Sequence, residues 1–182
     1  MISLRELQEK DAPLMLEWMH DSEVQRAFKK NMRDITMDEA VSFCRAAVIP
    51  LTIKSGDSLH FAIVNEEDEY LGTVSLKNID LENGTAEYSI ATRKKAQRQG
   101  VALEATGLVL KKAFEEYKLH RVYLNVLTDN EPAIRLYERC GFTYEGEFRQ
   151  HLNVGGKFVN WKWYGMLNVE YDEHKFGGGA VR

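Results

Sequence analysis

The segment with the clearest chemical potential is Gln97-Arg98-Gln99-Gly100-Val101-Ala102, which lies between a predicted strand and a predicted long helix. The first N–H groups of a helix have no intrahelical acceptor and carry a partial positive charge, so an anion binds there readily. Gly100 and Ala102 are small enough to let a phosphate approach the backbone closely. Further positive charge comes from Arg93, Lys94, Lys95 and Arg98. The segment therefore predicts a pyrophosphate site.

An ordinary structural interpretation competes with this one. A glycine before a helix is common, and basic residues in a loop are usually only solvated. The glycine spacings of the Walker A loop and of the Rossmann turn are both absent, which disfavours ATP and NAD as ligands.

The elements that must position this segment begin with a predicted strand and three helices. Asp11 is placed to cap the first helix, and Thr36 and Glu39 have the spacing of a capping box that opens the third. The predicted elements are a strand over 2–7 and helices over 11–20, 23–29 and 36–48.

Three strands separated by polar turns predict an antiparallel meander, followed by a long helix with apolar or small residues at steps of three and four. Because that helix joins the strand at 85–92 to the strand at 121–127, we expect these two strands to be parallel. Gly141 is placed to end a shorter helix. The pattern predicts a mixed α/β (α+β) sheet with helices on both faces. The predicted elements are strands over 59–64, 70–76, 85–92, 121–127, 142–149 and 158–167, and helices over 101–117 and 130–140.

Composition indicates one globular domain. With 182 residues, 44% of them hydrophobic and 29% charged, the chain is long enough to bury a core, and we expect a single domain over 1–170 followed by a flexible tail over 171–182. A net charge of -4 disfavours a nucleic-acid partner. Neither a signal peptide nor a membrane-spanning run is evident, so we expect a cytoplasmic protein without membrane association. Cys44 and Cys140 are expected to be free thiols, and the scattered histidines predict no metal site.

Two motifs together resemble a known family. Gln97-x-x-Gly100-x-Ala102 is similar to the acetyl-CoA motif of the GNAT N-acetyltransferase superfamily, except that Arg98 stands where many relatives have glycine. About 30 residues downstream, Asn130-x-x-Ala133-x-x-x-Tyr137-x-x-x-Gly141-Phe142 resembles the other half of that superfamily's coenzyme site. The resemblance implies a GNAT-like, mostly antiparallel mixed sheet of about seven strands.

The resemblance also implies a place for acetyl-CoA as co-substrate. Loop and helix N–H groups would bind its pyrophosphate, while its pantetheine arm would pair with the fourth strand as an extra strand. A backbone N–H of that strand would polarise the thioester carbonyl. The coenzyme-binding residues so implied are Ser89, Ile90, Ala91, Thr92, Gln97, Arg98, Gln99, Gly100, Val101, Ala102, Leu103, Asn130, Ala133 and Tyr137.

The resemblance implies catalytic roles for Tyr137 and Glu87. Tyr137 would protonate the departing CoA thiolate, because a phenol with an ordinary pKa near ~10 holds its proton at neutral pH. Glu87 would remove a proton from the acceptor ammonium through water. Each residue has a structural alternative: Tyr137 as a packed ring, Glu87 as a strand carboxylate, and Asn130 as a helix cap rather than a coenzyme contact.

The implied function is transfer of acetyl to a primary amine, expected to belong to a small molecule. The run Val154-Gly155-Gly156-Lys157-Phe158 resembles spermidine N-acetyltransferases, and Trp163-Tyr164-Gly165-Met166-Leu167 resembles transferases that act on amino sugars. Alternatives left open are a ribosomal-protein-type N-terminal acetyltransferase and a non-catalytic acyl-CoA-binding module. The chain resembles the branch of the superfamily that contains ribosomal-protein alanine, spermidine and amino-sugar N-acetyltransferases, and this resemblance also implies a homodimer.

Overall fold

The computed structural model describes residues 1–26 and 31–176. Seven strands form one sheet in the order β1-β2-β3-β4-β5-β7-β6. The strands are β1 (Ile2–Glu6), β2 (Leu59–Asn65), β3 (Tyr70–Asp80), β4 (Thr85–Thr92), β5 (Arg121–Leu127), β6 (Thr143–Val154) and β7 (Lys157–Leu167). The helices are α1 (Ala12–Met19), α2 (Ser22–Arg26), α3 (Met37–Ala46), α4 (Val101–Lys111) and α5 (Glu131–Cys140). The mixed, mostly antiparallel sheet predicted from the sequence is confirmed.

The parallel neighbours β4 and β5 stay paired over a short stretch. Thr85–Glu87 pair with Arg121–Tyr123, as the crossover through α4 predicts. β4 then continues to Thr92 and β5 to Leu127, while β4 remains paired with β3 and β5 with β7. The sheet therefore opens into a wedge between β4 and β5.

Helices cover both faces of the sheet, and each face has its own apolar cluster. α4 and α5 pack on Val74, Leu76, Tyr88 and Leu124. On the other face, α1 and α3 pack on the neighbouring positions of the same strands: Ala62, Val64, Tyr70 and Ala91. Since successive side chains of a strand point to opposite faces, β2 to β4 are buried on both sides in this region.

Two local predictions differ from the structure. Asp11 does not cap α1 with its side chain. Instead the buried carboxylate pairs with Arg5 and accepts the N–H of Gln8 at 2.8 Å, because a charged guanidinium is the stronger partner. The predicted helix over 101–117 is α-helical only to Lys111 and continues as a π-helical turn over Lys112–Glu116.

Where a strand ends depends on its partner strand, whereas where a helix begins or ends depends on residues nearby in the sequence. β3 extends four residues beyond its predicted end and β6 reaches Val154, because pairing with β4 and β7 carries each strand past the point where alternation fades.

The capping box of Thr36 and Glu39 is confirmed, with the Glu39 N–H donating to Thr36 Oγ1 at 3.3 Å.

Parts of two predicted segments lie outside the described residues, namely 27–29 of the second helix and 177–182 of the tail. The described beginning of the tail, 171–176, differs from a free chain. It contains a short 3₁₀ turn over Glu173–Lys175, and Phe176 packs beside Gly107 and Tyr171.

Across residues 1–26 and 31–176, no helix combines the length and apolarity that crossing a membrane requires.

Close approach of β3 and β4 requires glycine at position 72. A Cβ there would lie 2.3 Å from the carbonyl oxygen of Ala91 and 2.9 Å from the Cα of Thr92. We predict that Gly72→Ala lowers the free energy of unfolding by about 2 kcal/mol or more, because a backbone atom cannot move aside. In a chain of this size that corresponds to a fall in Tm of roughly 4–8 °C, measurable by calorimetry. Thr92→Ala serves as the control and should move Tm much less; equal shifts in the two variants would contradict the prediction.

Candidate active site

The wedge leaves one edge of β4 without a neighbouring strand. Beyond Glu87, the residues Ser89–Thr92 pair with β3 on one side only. Alternate N–H and C=O groups on their other side therefore face the gap and can hydrogen-bond an extended ligand as a strand would. This is the geometry that the sequence predicted for the coenzyme arm.

The N-terminus of α4 follows this edge. Gly100 has φ of +80°, a left-handed conformation that favours glycine, and a Cβ there would meet no atom within 4 Å. The first bond of the helix is donated by the Glu104 N–H to the Gly100 carbonyl at 3.0 Å. The N–H groups of residues 101–103 come before that bond and have no acceptor in the helix. Open space and unpaired donors together make an anion site.

The basic residues beside this loop do not all contribute free charge. Arg93 is buried: its guanidinium donates to both Glu17 oxygens at 2.7 and 2.9 Å, and to Glu69 and the Tyr70 carbonyl at 2.9 Å each. Lys95 also pairs with Glu69. The expectation that Arg93 and Lys95 add charge around the turn is therefore wrong. They hold the end of β4, while Lys94 and Arg98 are exposed.

A cavity of about 510 Å³ occupies the wedge. Its lining brings together the predicted residues Glu87, Ser89, Ile90, Asn130 and Tyr137. Ala91 lines an adjoining cavity instead. Among the described residues that line the wedge cavity, none belongs to 97–103, because this loop lies beyond the last residue of β4. Thr92 and Ala133 are also absent from that lining.

Tyr137 reaches this cavity from α5. Its ring lies edge-on to Tyr88 at a centroid distance of 5.9 Å and to Phe142 at 6.1 Å. Burial raises the pKa of Tyr137 well above its ordinary value, so the phenol keeps its proton at neutral pH. The packed ring and the proton donor are compatible, since packing orients the hydroxyl.

Asn130 is at the N-cap of α5. Its Oδ1 accepts the Ala133 N–H at 3.4 Å, as the capping interpretation predicts. The residue also lines the wedge cavity. The cap fixes the side chain of Asn130 beside the space where a ligand arm would lie.

Glu87 is engaged on both carboxylate oxygens. Lys77 Nζ lies 3.1 Å from Oε1, and Asn78 Nδ2 donates to Oε2 at 3.0 Å. The side chain is 18% exposed and lines the wedge cavity, at the last residue of β4 that pairs with β5. These contacts hold the carboxylate in place where β4 and β5 part.

A second cavity, of about 450 Å³, lies under α1 and α3, and the sequence did not predict it. Its lining includes Trp18, Phe43 and His60, and it shares Ser89 and Lys77 with the wedge cavity. His60 Nδ1 lies 2.8 Å from Ser75 Oγ. Only the register of β2 and β3 places His60 beside Ser75, so no sequence spacing could have shown it.

The β6–β7 hairpin closes another side of the wedge with Asn153, Val154 and Gly155. Trp161 is buried and also lines the wedge cavity. Within residues 1–26 and 31–176, no group of three or more His, Cys, Asp or Glu side chains is arranged to hold a metal ion.

Arg93 offers a direct test of how the end of β4 is held. We predict that Arg93→Lys lowers the free energy of unfolding by about 1–3 kcal/mol, because lysine cannot make the paired contacts to Glu17 or reach Glu69 at the same time. Chemical denaturation measures this. Arg139→Lys, the same change at an exposed position of α5, should leave the free energy within about 0.5 kcal/mol. If Arg93→Lys lowers the free energy of unfolding no more than Arg139→Lys does, Arg93 does not hold the end of β4.

Comparisons with known proteins agree with this architecture. The uncharacterized N-acetyltransferase p20 of Bacillus licheniformis is 28% identical over 173 residues, covering 93% of this chain and 94% of that protein. The spermidine N(1)-acetyltransferase of Escherichia coli (strain K12) is 32% identical over 120 residues, covering 65% of this chain and 64% of that protein. The fold matches the crystal structure of the spermidine N-acetyltransferase from Vibrio cholerae in complex with CoA and spermine, with a TM-score of 0.82, 23% identity, and coverage of 93% of this chain and 97% of that one.

The family itself is defined by a match over most of the chain. The model for the acetyltransferase (GNAT) domain matches residues 2–143, which include the open edge of β4, the turn before α4 and the tyrosine of α5. This chain belongs to the GNAT family of N-acetyltransferases.

Proposed function

We propose that this chain transfers the acetyl group of acetyl-CoA to the primary amine of a small molecule by direct attack of the amine on the thioester. One observation carries the proposal: the open edge of β4 and the hydroxyl-bearing ring of Tyr137 meet in a single cavity. A thioester lying along β4 would have a proton donor on one side and room for an amine on the other.

The chain's own groups match the parts of acetyl-CoA. Backbone groups of 89–92 hydrogen-bond the pantetheine arm, and Asn130 contacts it from α5. The N–H groups of 98–103 bind the pyrophosphate, assisted by the exposed Lys94 and Arg98. A donor on β4 stabilises the oxyanion, where preorganised hydrogen bonds are most effective.

The chemical step needs one base and one acid. The ammonium of the acceptor first loses a proton, which passes to Glu87 through water. The amine nitrogen then attacks the carbonyl carbon, and the tetrahedral intermediate collapses as the carbon–sulfur bond breaks. Tyr137 donates its proton to the sulfur, giving free CoA, and the remaining extra proton of the amide nitrogen returns through water to the Tyr137 phenolate.

Polyamines and amino sugars are the first acceptors to test. Val154 and Gly155, from the run that resembles spermidine N-acetyltransferases, line the wedge cavity, and spermidine is the substrate named for one relative. Overall acidity favours a cationic acceptor by long-range attraction.

The deciding experiment measures release of free CoA thiol from acetyl-CoA against polyamines, amino sugars, simple monoamines and peptides with free N-termini. Turnover with a small amine supports the proposal. Turnover with peptides alone indicates an N-terminal acetyltransferase. Acetyl-CoA binding without turnover on any acceptor indicates a binding module.

Tyr137→Phe tests whether Tyr137 is the general acid that protonates the departing CoA thiolate. We expect kcat to fall about 100-fold, because the thiolate then leaves without a positioned proton donor, while KM for acetyl-CoA changes little. Steady-state kinetics with a good acceptor measures both constants. Tyr117→Phe removes a hydroxyl from a half-buried ring outside the cavity and should keep kcat within twofold. Unchanged kcat in Tyr137→Phe would rule out the acid role.

Glu87→Gln tests whether Glu87 acts as a general base or has only a structural role. As a base, its loss should lower kcat roughly 10–100-fold with little change in Tm. Lys77→Met breaks the same ion pair from the other side and keeps the carboxylate. A purely structural role predicts that both variants lose similar Tm and similar kcat, and that outcome would contradict general base catalysis by Glu87.

A further inference from the structure

We propose that the cavity under α1 and α3 receives an apolar group of aromatic size on the acceptor, so that the preferred substrate is a monoamine carrying such a group. The assignment depends on the proposed acetyl transfer and narrows its acceptor class. We call this space the acceptor cavity, lined by Trp18, Met19, Met32, Ile35, Ala40, Phe43, His60 and Ser75, among others.

The acceptor cavity adjoins the reacting centre. Asn31, Lys77, Ser89 and Ile90 line both it and the wedge cavity. Ser89 and Ile90 belong to the open edge of β4, where the thioester is placed. An amine that attacks from the wedge would therefore direct its substituent into the neighbouring space. At about 450 Å³, the acceptor cavity is within the range of roughly 300–1,000 Å³ typical of small-molecule sites.

The walls of the acceptor cavity are mainly apolar. Met19, Met32 and Ala40 are buried, and Ile35 and Phe43 are half-buried around the same space. The Phe43 ring stands edge-on to His60 at a centroid distance of 5.0 Å. Such a surface gains from contact with an aromatic ring.

The polar groups of its floor are already paired within the protein. Ser75 Oγ lies 2.8 Å from His60 Nδ1, and Thr73 Oγ1 lies 2.7 Å from Tyr70 Oη, which also accepts Trp18 Nε1–H at 2.8 Å. Burial beside Lys77 lowers the pKa of His60 to about 4, so the imidazole is neutral at pH 7. These floor side chains are therefore neutral and paired, and Lys77 beside them is paired with Glu87.

The carboxylates around the two cavities favour one ammonium over several. Glu39 accepts the N–H and hydroxyl of Thr36, and Glu87 is paired with Lys77 and Asn78. Asp34 is exposed at the rim of the acceptor cavity. A polyamine would bring at least one further ammonium against the apolar walls or beside Lys77, at a cost in desolvation. An amine with one apolar arm avoids that cost.

The test compares kcat/KM for 2-phenylethylamine, ethylamine and spermidine in the full chain. We expect 2-phenylethylamine to exceed ethylamine by about 10–100-fold, the effect of transferring a phenyl group from water. Phe43→Gln should lower kcat/KM for 2-phenylethylamine about tenfold more than it lowers kcat/KM for ethylamine. Ser42→Gln places the same side chain on the exposed side of α3 and is the matched control. Ile35→Gln repeats the test at a second lining residue if Phe43→Gln does not fold.

Calorimetric binding of 2-phenylethylamine to the CoA-bound protein gives a readout that does not need turnover. Binding tighter than that of ethylamine and weakened by Phe43→Gln supports the acceptor cavity even if no amine is acetylated, in which case only the proposed function fails. Turnover of amines with no preference for the aromatic one overturns the acceptor cavity and leaves the proposed function intact. Preference for spermidine that is unaffected by Phe43→Gln also overturns it.

Discussion

The parting of β4 and β5 is the constraint on which the rest of the molecule depends. Two parallel strands that pair over only three residues each leave an unpaired backbone edge inside the protein. Buried N–H and C=O groups without partners are costly, so such an edge is stable only where solvent or a ligand can reach it. The wedge cavity provides that access, and an extended coenzyme arm can replace the missing strand.

Several contacts keep the wedge open from its outer sides. Gly72 lets β3 approach β4 more closely than any side chain would allow, so β4 stays with β3. At the end of β4, Arg93 joins α1, β3 and the turn before α4 through charged hydrogen bonds. On the β5 side, α5 places Tyr137 against Tyr88, which fills the base of the gap with aromatic rings. The wedge is therefore a packed feature and not a break in the sheet.

Two chemically different spaces share the open edge of β4. The wedge cavity is lined by the phenol of Tyr137 and the fixed carboxylate of Glu87, to which we assign the acid and base roles. The acceptor cavity on the other side of Ser89 is apolar and closed by α1 and α3. In the proposed function, the coenzyme arm occupies the first space and the substituent of the acceptor occupies the second.

The sequence by itself determined the family and the order of the elements, because these depend on local signals. Glycine before α4, asparagine before α5 and the alternation of β4 and β5 act within a few residues of chain. The tertiary structure alone decided which charges are free and which spaces exist. The sequence indicated that Arg93 adds positive charge beside the loop, but Glu17, 76 residues away, pairs with its guanidinium. His60, Phe43 and Trp18 form one cavity only through strand register and helix packing, which are set by long-range burial and leave no fixed spacing in the sequence.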